Sequence, residues 1–528
     1  MKAVRYLTVT ILALIHQALT YTAGTGIFAA PASSNITDYV ICKLTAFGAS
    51  WFFFLMLWDI LIGKDRKNAV PSRIIKAALP YLAIMIPVVI IKLRSGYLSN
   101  DETLIYENAV TLTHYTWFNY MTTYYYIVSL MLIPHMYAPI FVKLFIEYMV
   151  IGYTVMRCRE HYLSKSDDPF IKKPFKIGYG CLIILLFVLY PVIAYTTSAH
   201  RLPVYFLMYL LMIVMLLFDK LEQAALTIPK FIILLLLGAV LTQWRTEGIY
   251  LVLLVPILIF LTYDGLTVRE GHKFSLKGRK GRIAVIVLYL LLQYVISIPQ
   301  TGAVANEMGA AADERMKPFY AYTITNMYRN GLDKEKNAAD LAIVDKYISL
   351  ESIEAINDYY GDINYEDVLI LYQPGYIGVR EDAGVTEYYD FANALKRIFI
   401  NNPQVFVRTR IGAFVYAALP YHISFTGFSP RALAGFIVSI IKTVSYNIFI
   451  PLFAALFLCL YSLARGRWFS FFVTGGLLAH WFIVFVLAPA SYFKYYFPVY
   501  MTAYLYIFLL IIEGLYNKKH PVKVRMLK

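Results

Sequence analysis

The chain has 528 residues, of which 59% are hydrophobic, 16% aromatic and only 15% charged. Soluble domains carry roughly 25% charged residues, so this chain has too few charged side chains to cover a water-facing surface. Apolar segments close to the ~20 residues that span a bilayer recur along most of its length. A soluble enzyme, a disulfide-stapled secreted domain and a disordered protein are therefore excluded, and the sequence predicts an all-α polytopic membrane protein.

The net charge is +15, yet the basic residues are not arranged as in a nucleic-acid-binding protein. More than half of the 48 Lys and Arg residues lie in short segments between apolar runs, and these segments alternate with stretches poorer in positive charge. Basic loops remain in the cytoplasm, so the pattern predicts a multi-pass protein of the cell membrane with both termini cytoplasmic. Topology and attraction to membrane lipid account for the charge, and no nucleic-acid partner is predicted.

The apolar runs predict about twelve membrane-spanning helices, and this number requires the ambiguous stretch 405–445 to be external. In chain order the spans are expected at 6–29, 39–62, 77–93, 137–156, 177–197, 202–218, 229–243, 248–263 and 283–299, then one ending before Arg465, and finally 468–488 and 497–515. The segment 94–136 is aromatic and not a clean span, so it is predicted to be an outer loop. Residues 1–299 thus form an N-terminal module of about nine helices.

Residues 300–404 differ in composition, because charged and polar side chains become frequent. Helical patterns at Lys334–Tyr347 and Glu387–Ile400 predict a small, mainly helical subdomain outside the cytoplasm. Residues 405–528 then comprise juxtamembrane helices and the C-terminal spans. Within them, 405–420 and 432–445 fit either amphipathic surface helices or an extra pair of spans.

Motifs of common enzyme classes do not occur in a suitable context. The sequence has no Walker loop, dinucleotide-binding glycine pattern, zinc-protease motif or nucleophile elbow. Its four cysteines form no Cys-x-x-Cys pair, so neither a metal knuckle nor a disulfide framework is predicted. We expect no cofactor and no resident metal.

Ionisable residues instead flank the predicted outer ends of the spans. Short outer loops are normally poor in positive charge, yet three of them carry an arginine: Arg94, Arg201 and Arg245. This pattern indicates an anion held at the outer membrane surface. The alternative is that each residue is polar only because loops meet water.

Asp101 and Glu102 form an acidic pair just beyond the third predicted span. A carboxylate here could act as general base toward an incoming hydroxyl, with its neighbour as orienter. Lys92 and Arg94 nearby would favour the ionised form. The alternative is a capping role, because negative charge stabilises the start of the next helix.

Several short motifs resemble the GT-C superfamily of polytopic glycosyltransferases, which use polyprenyl-phosphate-linked sugars. An outer loop begins with Asp-Glu, continues through an amphipathic helix from Leu104 to Leu112, and reaches an aromatic stretch that starts at His114. The sequence Trp-Arg-Thr-Glu-Gly at 244–248 resembles the Arg-x-(Asp/Glu)-Gly hairpin tip of bacterial members. The segment 491–498 resembles their Arg-Tyr-x-x-Pro element, and 297–300 matches a group of Gram-positive members.

The resemblance implies roles for particular residues. Asp101 would deprotonate the acceptor with help from Glu102, while Arg245 and Lys494 would bind the donor phosphate and stabilise it as a leaving group. The other predicted substrate-binding residues are Arg94, His114, Arg201 and Glu247. Two features depart from the family pattern. The acidic pair follows the third span instead of the first, and Lys494 replaces an arginine, which keeps the charge but loses bidentate geometry.

The leading expectation is therefore an inverting sugar transfer on the extracytoplasmic face. The donor would be a polyprenyl-phosphate-linked sugar and the acceptor a cell-surface glycan or cell-wall polymer. A lipid-linked oligosaccharide polymerase or ligase shares this topology but does not require the acidic pair. A flippase or transporter of lipid-linked sugars belongs to another class and predicts charge near the membrane midplane.

One more pair of charges lies inside the fourth predicted span. Lys143 and Glu147 are i, i+4 neighbours, and ionisable groups within a membrane are costly and tend to be functional. We expect them to form a structural pair in which each neutralises the other. In the first span, His16 and Gln17 are expected to hydrogen-bond a neighbouring helix.

Overall fold

The structure is a computed structural model in which α-helices dominate. It describes residues 2–20, 36–63, 69–92, 100–113, 118–163, 180–268, 275–303, 316–360, 378–380, 383–424 and 427–519. The first twelve helices are α1 (Lys2–Leu19), α2 (Ile36–Leu61), α3 (Val70–Lys92), α4 (Asn100–Val110), α5 (Tyr120–Leu132), α6 (Ala138–Leu163), α7 (Gly180–Phe187), α8 (Tyr190–Thr196), α9 (Leu202–Glu222), α10 (Ile228–Trp244), α11 (Leu251–Thr262) and α12 (Gly278–Ala303). The remaining helices are α13 (Lys317–Arg329), α14 (Ala338–Val344), α15 (Leu350–Tyr360), α16 (Val385–Asn401), α17 (Pro403–Ala418), α18 (Pro430–Ser445), α19 (Phe449–Ala464), α20 (Trp468–Leu487) and α21 (Phe497–Lys519).

Short 3₁₀ helices and strands complete the described elements. The 3₁₀ helices at Thr246–Tyr250 and Phe493–Tyr496 directly precede α11 and α21. Three strands form one small sheet: β1 (Leu226–Thr227), β2 (Gly265–Thr267) and β3 (Ser275–Lys277). β1 pairs with β2 in parallel and β2 with β3 in antiparallel, so the sheet joins the loops that precede α10 and α12.

The chain divides into two compact units. The first comprises Met1–Ile298, Ala454–Leu477 and Tyr500–Lys528, and the second comprises Pro299–Phe453 and Leu478–Val499. The predicted module 1–299 falls almost entirely in the first unit and 300–404 in the second, whereas 405–528 contributes to both.

Helices of membrane-spanning length confirm the membrane class. In the described part of the chain, eight apolar helical stretches are long enough to cross a bilayer, at Ile36–Leu61, Val70–Ile91, Ala138–His161, Leu202–Glu222, Gly278–Gln300, Pro430–Ala464, Trp468–Leu487 and Phe493–Lys518. Shorter apolar helices lie at Ala3–Leu19, Ile228–Trp244 and Thr246–Thr262. The protein is an all-α membrane protein, while twelve spans and the orientation of the termini stay predictions.

Helix α9 is the core of the first unit. Almost all its side chains are buried, against α6, α10 and α11 among others. A helix that is apolar on every side is stable only when it is surrounded, which explains why the continuous apolar run after Arg201 occupies this place. Gln223 ends the helix in the left-handed conformation, with φ of 54°.

The first two helices are joined by polar side chains. Gln17 Nε2 donates to Ser50 Oγ at 3.0 Å, and His16 Nδ1 lies 2.9 Å from the same oxygen. Ser50 belongs to α2, so the expectation that His16 and Gln17 hydrogen-bond a neighbouring helix is confirmed.

The second unit contains a helical core built mainly by α13–α17. Buried aromatic and aliphatic residues of α13 pack with those of α16, including Tyr322, Phe391 and Leu395. The helical pattern predicted at Glu387–Ile400 corresponds closely to α16, and those at 405–420 and 432–445 correspond to α17 and α18.

An ordered turn precedes α15 in the same unit. The backbone N–H of Leu350 and the guanidinium of Arg380 both donate to the Asp345 carboxylate, at 2.9 and 2.8 Å. These hydrogen bonds lower the pKa of Asp345, because they favour its ionised form.

Candidate functional site

The acidic pair lies in the first turn of α4, which begins before the predicted Leu104. Glu102, Ile105, Ala109 and Leu112 follow one another at intervals of three or four residues, and all four are buried. This spacing defines one face of a helix, so Glu102 lies on the buried face of α4. The side chain of Asp101, one residue earlier, is 49% exposed. The two carboxylates therefore meet different environments.

Arg201 binds both carboxylates. Its Nη1 donates to Glu102 Oε1 at 3.0 Å, and its Nη2 lies 3.6 Å from Asp101 Oδ2. The guanidinium carbon lies 3.5 Å from the ring centroid of Phe118, so a cation–π contact supports it from another side. His200 Nδ1 is 3.4 Å from Glu102 Oε1. The structure thus brings together three of the predicted site residues, Asp101, Glu102 and Arg201.

Lys143 fixes the turn between α8 and α9. This lysine of α6 is 1% exposed. Its amino group donates to the carbonyl oxygens of Tyr195 and His200, at 3.2 and 3.1 Å, and also to that of Ser198. Carbonyl groups at a helix C-terminus carry partial negative charge, so they stabilise the buried ammonium group.

A tyrosine of α5 adds a fourth hydrogen bond to the same turn. The hydroxyl of Tyr126 donates to the carbonyl oxygen of Ala199 at 2.8 Å. Four carbonyl groups directly before Arg201 therefore bind buried side chains of α5 and α6. These hydrogen bonds fix the backbone that leads into Arg201, independently of the contacts of its side chain with the acidic pair.

Lys143 and Glu147 attract each other electrostatically, as predicted, but they form no direct ion pair in the described part of the chain. Lys143 is structural, but its hydrogen-bond partners are the backbone carbonyls. Both carboxylate oxygens of Glu147 lack a hydrogen-bond partner of normal geometry in the described part of the chain. Glu147 is fully buried and lies beside Tyr81 and Thr196. The i, i+4 spacing predicted a partner on the same helix, whereas the turn after α8 offers Lys143 three acceptors.

A second polar cluster follows α10. Arg245 forms a bidentate ion pair with Glu247, in which Nε donates at 3.1 Å, and each side chain is only 15% exposed. A Cβ atom on Gly248 would lie 2.1 Å from the Leu241 carbonyl oxygen and 3.2 Å from the Tyr205 hydroxyl. Only glycine allows this close approach of the 3₁₀ turn to α10. The ion pair and the close packing of Gly248 therefore explain three residues of the Arg-Thr-Glu-Gly motif by local structure.

Both clusters lie at the same end of the α9–α10 hairpin. α9 begins directly after Arg201, and α10 ends directly before Arg245, so the two arginines precede and follow antiparallel neighbours. Tyr205, in the first turn of α9, lies against Gly248. The ring of Tyr125, next to Tyr126, contacts that of Trp244 at a centroid distance of 5.9 Å. Helix α5 thus contacts the segments that carry both arginines.

The opposite end of α9 carries a charge cluster that the sequence analysis missed. Asp219 is 2% exposed; it lies 3.2 Å from Arg157 Nη2 and 2.7 Å from Lys230 Nζ, and it accepts a hydrogen bond from the Tyr263 hydroxyl. Arg157 also pairs with Glu222 at 3.0 Å. An aspartate within an apolar run was the available signal, because such a residue must find partners inside the protein.

Lys494 belongs to the second unit and is described within it. It lies in the 3₁₀ turn before α21, with its amino group 4.6 Å from the Tyr492 ring centroid and 5.8 Å from that of Tyr495. Such contacts are also typical of a lysine within the aromatic belt at a membrane interface. Its predicted contact with a donor phosphate stays a prediction.

Arg410 is a further buried cation of the second unit that sequence reasoning missed. It is 2% exposed and donates to the carbonyl oxygens of Phe485 and Ala488, at 2.6 and 3.0 Å. These carbonyls belong to the last turn of α20 and the residue after it, so Arg410 caps that helix. A charged residue within the mixed pattern of α17 gave no indication of this partner.

Two of the eight predicted catalytic and substrate-binding residues, Arg94 and His114, lie outside the described residues. Of the six others, five are in the first unit and one, Lys494, is in the second. Within the ranges that the structure covers, no three His, Cys, Asp or Glu side chains are grouped so that they could hold a metal ion.

Comparison with known proteins gives no relative: no family model, no curated protein and no solved structure matches the chain significantly.

Proposed function

We propose that the protein is a membrane-embedded glycosyltransferase that moves a sugar from a polyprenyl-phosphate donor to a glycan or cell-envelope acceptor on the extracytoplasmic face. The observation that carries the proposal is the asymmetry of the acidic pair. Glu102 is buried against Arg201, whereas Asp101 is half-exposed and has only a long contact to the same guanidinium. A carboxylate that is held in place yet accessible is what a general base requires.

Asp101 accepts the proton of an acceptor hydroxyl as that oxygen attacks the anomeric carbon of the donor sugar. The bond from the anomeric carbon to the phosphate oxygen breaks, and polyprenyl phosphate leaves with the bonding electrons. Attack from the face opposite the phosphate inverts the anomeric configuration. General base catalysis of this kind typically contributes ~10²–10⁴-fold to the rate.

Glu102 and Arg201 position Asp101. The buried ion pair fixes the first turn of α4 against the turn before α9. Asp101 lies 3.6 Å from the same guanidinium, and its side chain stays half-exposed.

Arg245 is the donor-phosphate ligand in this proposal. A phosphate offers the guanidinium the same bidentate geometry that Glu247 offers it now. Glu247 keeps the guanidinium oriented when no donor is bound, and the positive charge stabilises the leaving phosphate. Lys494 is also proposed to bind the donor phosphate. The Lys494→Ala variant tests this role independently of Arg245.

The location of the buried charges disfavours a transporter. Lys143 lies in the second turn of α6, and its acceptors directly precede α9. Lys143 and its acceptors are therefore close to helix ends, whereas transport sites are expected near the midplane.

The test is transfer from synthetic polyprenyl-phosphate sugars by the purified chain in proteoliposomes. Asp101→Asn keeps the size of the side chain but removes the basic oxygen, so we expect a large loss of transfer with normal donor binding, and a smaller loss for Glu102→Gln. Arg245→Ala and Lys494→Ala should each weaken donor binding. A polymerase or ligase would retain its activity in Asp101→Asn, and that result would exclude the glycosyltransferase mechanism.

A further inference from the structure

A groove of about 460 Å³ lies between α19 and α21, beside the turn that leads into α20. It belongs to the first unit and shares no residue with the site above. Arg465, Arg467 and Tyr461 form its polar part, and Glu513 of α21 stands on the other wall. Phe457 and Leu510 continue the groove along the two helices.

Backbone geometry places the two arginines around one ring. Gly466 adopts a φ of +64°, and the backbone N–H of Arg467 donates to the Ser462 carbonyl oxygen at 2.8 Å. This is a glycine-terminated helix end. As a result, the guanidinium carbons of Arg465 and Arg467 lie 5.8 and 5.2 Å from the centroid of Tyr461. Neither guanidinium forms an ion pair with a carboxylate of the described residues.

The candidate spans place the groove at the expected depth of lipid headgroups. One candidate span ends at Ala464 and the next begins at Trp468, so a membrane boundary is expected at the turn that carries both arginines. The Trp468 side chain is half-exposed, as expected for an aromatic residue of the interfacial belt. Basic pockets between transmembrane helices at this level bind anionic headgroups.

We propose that the groove binds an anionic phospholipid whose headgroup also carries hydroxyl groups, of which phosphatidylglycerol is the simplest. Arg465 and Arg467 hydrogen-bond the phosphate, and Glu513 accepts a hydrogen bond from a headgroup hydroxyl. An acyl chain lies along Phe457, whose side chain is 67% exposed, and Leu510. The site is independent of the proposed sugar transfer.

The experiment titrates the full chain in detergent with a fluorescent phosphatidylglycerol and follows its anisotropy. Arg465→Gln with Arg467→Gln should weaken binding roughly 30-fold. This factor corresponds to the loss of two basic side chains, each of which contributes about 1 kcal/mol to binding an anionic lipid surface. Arg465→Lys with Arg467→Lys keeps the charge and should bind more tightly than the glutamine pair. Fluorescent phosphatidylcholine should bind weakly to every variant.

The matched control is Arg408→Gln with Arg431→Gln, which removes the same charge from exposed arginines outside the groove. This control should bind phosphatidylglycerol like the wild-type chain. The proposal is overturned if the control and the groove variant lose binding equally, if phosphatidylcholine binds as tightly, or if excess inorganic phosphate displaces the lipid. The thermal unfolding of each variant is measured as well, so that lipid binding is compared only between folded proteins.

Discussion

Carboxylates are paired with cations differently at the two ends of α9. At its C-terminal end, the carboxylates of Asp219 and Glu222 face two cations, Arg157 and Lys230. At its N-terminal end, the acidic pair of α4 shares one guanidinium, that of Arg201. In the first arrangement, the number of carboxylates equals the number of cations. In the second, both carboxylates contact the same guanidinium, and the side chain of Asp101 is half-exposed.

We propose that this difference separates a structural cluster at Asp219 from a catalytic one at Arg201. Buried ion pairs often contribute little net stability, because desolvation offsets the attraction between the charges. The Asp219 cluster therefore ties α6, α9 and α10 together and specifies their arrangement. In the proposed mechanism, the same attraction at Arg201 positions the half-exposed carboxylate of Asp101.

Cysteine labelling should show the largest difference between the two ends of α9, because each introduced cysteine is either accessible from outside the cell or not. Thr246 and Gln223 are exposed at opposite ends of the α9–α10 hairpin. In a variant without the native cysteines, an impermeant maleimide should label Thr246→Cys from outside the cell and Gln223→Cys only after permeabilisation. Asp340→Cys tests the predicted external placement of 300–404 in the same assay. The reverse pattern would invert the orientation predicted from the basic loops.

Breaking the ion pair of Arg201 should cost the most stability. Arg201→Met leaves the fully buried Glu102 without its cation, so we expect the free energy of unfolding to fall by ~3–5 kcal/mol. The matched double variant, Arg201→Met with Glu102→Met, replaces the whole pair by apolar side chains and should recover much of this loss. Unfolding in detergent measures both. Equal destabilisation of the single and double variants would show that the pair is not the source of the effect.

Removing the clamp on the turn should have a smaller effect. Lys143→Met leaves three carbonyl groups without their donor, which we expect to cost ~1–3 kcal/mol. Glu147→Gln is the control one helical turn away, and it should be nearly neutral because Glu147 lacks hydrogen bonds of normal geometry within the described ranges. If Lys143→Met were as stable as the wild type, the turn before Arg201 would be fixed by other contacts.

Much of the fold could be predicted from the sequence, because bilayer physics constrains it strongly. Long apolar helices and the helical pattern around Glu387–Ile400 follow from composition and periodicity. The pattern of α4 was also readable: Glu102 stands three residues before the buried Ile105, which places it on the apolar face. Treating 101–102 as a loop hid that difference between the two carboxylates.

The partners of the buried charges could not be predicted in the same way. Arg201 lies about a hundred residues after Glu102, and the acceptors of Lys143 are backbone carbonyls that leave no trace in residue type. Arg410 finds its carbonyls on a helix more than seventy residues later. Such pairs depend on tertiary packing, so periodicity indicates that a partner is needed but does not identify it.

The most direct test of the account applies the same substitution at both ends of α9 and measures the rate of sugar transfer per folded molecule. Asp219→Asn loses its charge pairing with Arg157 and Lys230, so it should lower stability and leave that rate near wild type. Asp101→Asn should keep the stability and lower the rate by ~10²–10⁴-fold, the usual contribution of a general base. A rate for Asp101→Asn close to that of the wild type, in protein that transfers sugar, would contradict the assignment of Asp101 as the base.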